Sequence, residues 1–236
     1  MNSGETERLW KLQTSANSLV LEGKKDAGPL LDFLQVFVFG NALPDIDWPG
    51  TYKTFGMEDE YKEAMKKLPA WQDAGLWVVP MIGIGKKYVG CNMVVAAMRK
   101  RFKVWSYYDD LDANIAHNDR SPANGSYFIG FRRTIEADEE NRDLSANVLA
   151  ERQHIGTTCL ERLILGYGYH LTTGQHLDVK CVTLCPGSRY SHGNVPGVYY
   201  GPYNDKVCVS RYDPDGPHDA LRSRAAVPPP VAQQLA

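Results

Sequence analysis

Four side chains of the type that bind zinc fall within sixteen residues: His170, His176, Cys181 and Cys185. Imidazoles and thiolates hold such an ion only where the chain delivers them to one point. Their spacing, H-x5-H-x4-C-x3-C, matches no common zinc arrangement. If Val179–Cys185 is a strand, Cys181 and Cys185 share a face about 13 Å apart, at ~3.3 Å per residue. That separation forbids a disulfide and is too long for joint ligation of one ion unless the chain bends. The expectation is therefore buried structural thiols, with Cys181 beside Val179 and Thr183.

A second group is oxygen-rich. DDLDANIAHND, Asp109 to Asp119, gathers four aspartates, two asparagines and a histidine after a predicted strand. Counting from Asp110 gives D-x-D-x-N, the opening of a calcium loop. Position six is then Ile115 rather than glycine, and position twelve is Ser121 rather than glutamate. Asp110, Asp112, His117 and Asp119 are the candidate metal or general-base residues here. The alternative is a solvated acidic loop.

RKRFKVWSYY, Arg99 to Tyr108, alternates cations with rings. Arg99, Lys100, Arg101 and Lys103 are candidates for holding phosphates while the aromatics stack on bases. The simpler reading puts the first three cations on a helix C-terminus and Trp105 on a strand. MIGIGKKYVGCN, Met81 to Asn92, places glycines between a strand and a helix. It fails the P-loop pattern, because Cys91 and Asn92 follow Gly90. It fails the dinucleotide pattern because Tyr88 stands where a third glycine belongs. No G-x-S-x-G elbow occurs, and Ser188, Ser191 and His192 are too close in sequence to imply a catalytic relay.

These segments must be positioned by elements that local patterns predict. EDEYKEAMKKL, Glu58 to Leu68, reads as a helix with acids first and lysines last. Asn92 is the predicted cap of a helix over Met93–Phe102. Strands are expected at Leu76–Ile82, with Pro80 at an edge or strand end, and at Lys103–Tyr108 and Ser126–Arg133. Further strands are expected at Val179–Cys185, Pro196–Gly201 and Lys206–Tyr212, with Leu221–Val227 closing the sheet. Between Thr134 and Leu165 the spacing of Leu144, Val148, Ile155, Cys159 and Leu163 predicts a long helix, with room for a break near Asp143. The fold class that results is α+β: a mixed or antiparallel sheet, a long packed helix and a strand-rich C-terminal part.

The 236 residues suffice for one large domain or two small ones. Residues 1–70 read as an irregular, partly helical segment, 71–227 as the core domain and 228–236 as a disordered tail. With 26 basic and 28 acidic residues, there is no global positive field to attract nucleic acid or an anionic membrane. The N-terminus lacks the pattern of a signal peptide, and the apolar run at 30–39 is too short to span a bilayer. Five cysteines, an odd number, argue for reduced thiols and a cytoplasmic protein.

The stretches KKYVGCNMVVAAMRKRFKVWSYYDDLDANIAHNDRSPANGSY, RRTIEADEENRDLSANVL, TTGQHLDVKCVTLCPGSRYSHGNVPGVYY and LRSRAAV resemble an uncharacterised family of bacterial proteins from small-genome candidate phyla. The resemblance covers roughly residues 76 to 227. It implies a bacterial, cytosolic origin and transfers no functional residue. With no complete catalytic or cofactor signature, no cofactor is expected, and the leading expectation is a domain that binds a protein partner. Its positive support is the row Tyr190, Tyr199, Tyr200, Tyr203 and Tyr212, since exposed tyrosine is enriched at interfaces. A metal-dependent enzyme at the acidic loop and local nucleic-acid binding at 99–108 are the alternatives.

Overall fold

The computed structural model describes residues 43–73 and 75–230. The expectations for the apolar run at 30–39 and for the tail beyond 230 lie outside these described residues. Two helices come first, α1 (Trp48–Thr54) and α2 (Glu58–Lys67). Asp47 caps α1 by accepting from the Gly50 amide at 3.0 Å. α2 runs from Glu58, Asp59 and Glu60 to Lys66 and Lys67, the charge order its peptide dipole favours. Both helices belong to one compact unit that begins at Asp45, so residues 45–70 go with the core rather than with a separate N-terminal segment. The reason is packing that spacing does not show. Tyr52 is wholly buried and donates to the Pro80 carbonyl, while Phe55 stacks on Tyr167 at 5.5 Å.

β1 (Leu76–Met81) pairs antiparallel with β6 (Tyr127–Arg132) in a two-stranded sheet, where Pro80 leaves no interior ladder bond unmade. Between them lie the hairpin β2 (Gly83–Ile84) and β3 (Lys87–Tyr88), helix α3 (Cys91–Arg99), β4 (Lys103–Ser106), the one-turn helix α4 (Leu111–Asn114) and β5 (Ile115–Asn118). α3 starts two residues earlier than Asn92 predicted, with Gly90 at the cap position. After β6 come α5 (Ala146–Glu151), α6 (Cys159–Thr173), β7 (Val182–Leu184), β8 (Ser188–Tyr190), β9 (Val195–Gly201), β10 (Lys206–Tyr212) and β11 (Leu221–Ser223).

The main sheet has the order β11-β7-β9-β10-β4 and is mixed. β9 pairs antiparallel with both β7 and β10, whereas β4 and β11 add in parallel at the two edges. This is an α+β fold. One sheet face packs Val182, Leu184, Val195 and Leu221 against Ala146 and Leu149 of α5. α6 runs past β9 on its way between α3 and α1. Gly168 lets α1 approach it: a Cβ there would stand 2.7 Å from Ile46 and 2.8 Å from Trp48.

The long helix expected over 134–165 is broken near Asp143, where the sequence left room for it, and again at Gln153. The backbone turns left-handed at Asp143 (φ 59°) and Gln153 (φ 56°), leaving only α5 between them. α6 then starts with a capping box, in which the Thr158 hydroxyl accepts from Glu161 and the Glu161 carboxylate accepts from Thr158. Cys159 and Leu163 are fully buried as expected, but Ile155 falls in the connection and is 50% exposed. No helix among the described residues is long and apolar enough to cross a membrane.

Candidate functional site

The acidic loop is built from caps. Asp110 accepts from the Ala113 amide at 2.9 Å and so starts α4; the same carboxylate holds the Asn92 side chain at 2.7 Å. These bonds keep its carboxyl below the usual range. Asp112 reaches back to α3 and accepts from the Cys91 and Asn92 amides at 2.7 and 3.1 Å. His117 on β5 and Asp119 just past its end pair with each other at 3.0 Å and face solvent. Asp110, Asp112, His117 and Asp119 therefore do not assemble the metal site expected of them. Among the described residues, no three of their ligand atoms gather at one point.

Glu136, Asp178 and Cys181 do bring ligand atoms within 4.8 Å of one another. Their bonds are already taken. Asp178, wholly buried and left-handed (φ 56°), accepts from Arg162 at 2.7 Å, from Arg224 at 2.7 Å and from the Thr183 hydroxyl. Burial alone would raise its pKa, but the two guanidiniums outweigh that and hold it below the usual carboxylate range. Glu136 accepts from the amides of Val179, Lys180 and Cys181 at 3.0–3.2 Å. Burial and then Asp178 push the Cys181 thiol up, so it stays protonated. This is a structural knot that ties α6 to the ends of β7 and β11.

The zinc-type cluster of the sequence divides in two. His170 and His176 stack at 4.4 Å, Tyr200 stacks on His176 at 4.2 Å, and Phe102 meets both histidines edge-on. Burial first, then His170 and Arg162, push His176 down to about 4. Cys185 instead lies buried near Cys159, which in turn neighbours buried Cys91, and all three thiols are free. The Cys159 thiol and then burial raise Cys91 well above the ordinary thiol range; Cys185 and burial do the same for Cys159, outweighing Cys91, which lowers it. Nothing in the sequence signals this meeting, because the three residues come from three separate elements.

The tyrosine row does not form a surface. Tyr190 is buried, Tyr199 and Tyr212 pack against the α5 side of the core, and Tyr200 is in the histidine stack. Only Tyr203, at 101% exposure, stands free of that packing.

The edge strand β4 is different. Lys103, Trp105 and Tyr107 alternate outward while Val104 and Ser106 are partly covered. The ladder to β10 continues past the strand end, with the Tyr107 amide bonded to Val209 at 2.9 Å. Trp105 and Tyr107 are each 42% exposed and meet edge to face at 6.3 Å. Tyr107 is backed by Tyr108, which rests on buried Tyr190, and the Arg211 guanidinium lies 4.4 Å over the Tyr107 ring. Arg99 ends α3, and Lys100 and Arg101 follow it before β4, all three exposed. Lys103 has Asp205 at 3.7 Å, both side chains largely in solvent, which makes a weak pair. The four predicted cations thus sit along one short segment, and the structure adds Arg211. Comparison of the chain with protein-family models, with curated proteins and with solved structures finds no match.

Proposed function

We propose that this protein is a binding domain for single-stranded nucleic acid, with β4 as the contact strand. The observation that carries the reading is the exposed Trp105–Tyr107 pair on the same short segment as the exposed cations Arg99, Lys100, Arg101 and Lys103, with Arg211 over the Tyr107 ring. Each base has a π-face, so an exposed ring on a rigid strand can stack with any base, contributing ~1–3 kcal/mol per base. The cations match the phosphates between stacked bases. Rings in a paired duplex stack are out of reach, which favours a single strand. The overall charge of -2 confines the attraction to this patch.

The test is fluorescence anisotropy with labelled oligothymidylate, titrated at low salt and again at rising salt. Binding should weaken linearly in log–log form, by about 0.7 of a log unit per phosphate contact for each tenfold rise in salt. A duplex of equal length should bind more weakly. Absence of binding at low salt, or a Trp105→Ala variant that binds like the parent, would overturn the reading.

A further inference from the structure

A cavity lies away from β4, walled by α1, α2, the segment that follows α2 and the β1–β6 pair. Its volume is about 630 Å³, within the ~300–1,000 Å³ of small-molecule sites. Five rings line it: Trp48, Tyr61, Trp71, Trp77 and Phe128. That is three of the chain's five tryptophans at one place. Trp71 and Trp77 are buried and held by the fold, while Trp48, Tyr61 and Phe128 are partly open.

The charges in the wall select among ligands. Arg133 is its one cation, and that guanidinium is engaged: it donates to Asp45 at 2.5 Å and to the Leu76 carbonyl at 3.0 Å. Asp73 lies in the same wall, accepts from the Gly75 amide at 2.8 Å and forms no ion pair among the described residues. Asp47, the α1 cap, adds negative field at Tyr61. An anion would meet these carboxylates with no free cation to receive it. A metal ion would find no group of three ligand atoms gathered here among the described residues.

An organic cation meets the opposite situation. Aromatic faces carry negative potential, and a cation whose charge is spread over methyl groups leaves water for them with little penalty. It needs no hydrogen-bond acceptor, and Asp73 supplies the balancing charge. We infer that this cavity is a binding site for a small quaternary-ammonium compound, seated on the tryptophan and tyrosine faces with Asp73 beside its charge. The inference is independent of nucleic-acid binding at β4.

The experiment is calorimetric titration of the full-length protein with choline, and with 3,3-dimethylbutan-1-ol, its neutral isostere of the same shape, at matched ionic strength. Choline should bind saturably and about tenfold more tightly than the alcohol. Asp73→Asn keeps an oxygen for the Gly75 amide and should weaken choline about fivefold while leaving the alcohol unchanged. A thermal melt equal to that of the parent shows that this variant is folded. Equal affinity for the two compounds, no saturable choline binding, or an Asp73→Asn variant that binds choline like the parent would each overturn the assignment.

Discussion

Two regions of this molecule use arginine with opposite results. At Asp178, Arg162 and Arg224 are almost wholly buried, and the carboxylate accepts from both and from Thr183. At β4, Arg99, Lys100, Arg101 and Arg211 are exposed, and the rings between them keep two-fifths of their surface in water. In the first region each strong group finds its partner within the chain, and the result is mechanical: a helix, a loop and an edge strand held in one geometry. In the second, the internal contacts are weak and solvent-exposed: Lys103 has Asp205 at 3.7 Å and Arg211 lies over the Tyr107 ring. Charged residues indicate a binding surface only where the fold has left them unspent.

The largest effect should come from breaking the buried knot. Asp178→Asn leaves two guanidiniums without their counter-charge, and removing one partner of a buried ion set typically destabilises by ~3–5 kcal/mol. Urea unfolding measures it. A loss under about 1 kcal/mol would mean that the knot is not holding the fold. Comparable in size is Leu163→Asp, which puts an unpaired charge where exposure is 0%, at a cost of several kcal/mol. Glu151→Ala, on an exposed end of α5, should stay within about 0.5 kcal/mol of the parent. Equal melts for these two variants would refute the docking of α6.

Trp105→Ala inverts the pattern. Its loss should appear in oligonucleotide binding, by ~1–3 kcal/mol, with little change in melting temperature. A large drop in stability with unchanged binding would make β4 a packing element and erase the contrast.

The smallest effect concerns the histidine stack, which lies between the two regions. His176 takes a proton less readily in the folded state (about 4) than in the unfolded chain (about 6.5). The unfolded state therefore binds more protons between those values. The contribution of His176 to stability is whole above about pH 6.5 and declines as pH falls toward 4. His176→Phe should flatten that part of a melting-temperature profile. The lowered carboxyl of Asp178 acts only further into acid: its contribution is present above the unfolded value of about 3.9 and is lost as pH falls through the folded one.

Local patterns were enough for the elements whose causes are local. The acid-to-lysine order of Glu58–Lys67, and the alternation that predicts strands near 103–106, 127–132 and 206–212, are read within one or two turns of chain. So are the four cations at 99–103, which the fold leaves exposed as their charge requires. What the spacing could not reveal was decided by contacts across the chain. Positions 144, 148, 155, 159 and 163 fit a single helix, but helix forms in two pieces, Ala146–Glu151 and Cys159–Thr173. Left-handed turns at Asp143 and Gln153 and the Thr158–Glu161 cap stop it from extending backward. Asp110 and Asp112 look like ligands in sequence, yet the nearest unsatisfied groups in space are helix amides, and a carboxylate bonds what it reaches first. Cys91, Cys159 and Cys185 come together because α3, α6 and the end of β7 bury the same point. Hydrogen bonding and helical or strand periodicity act over a few residues and leave a mark in the sequence. Partner choice depends on which distant elements share a core, and that is settled only when the whole chain folds.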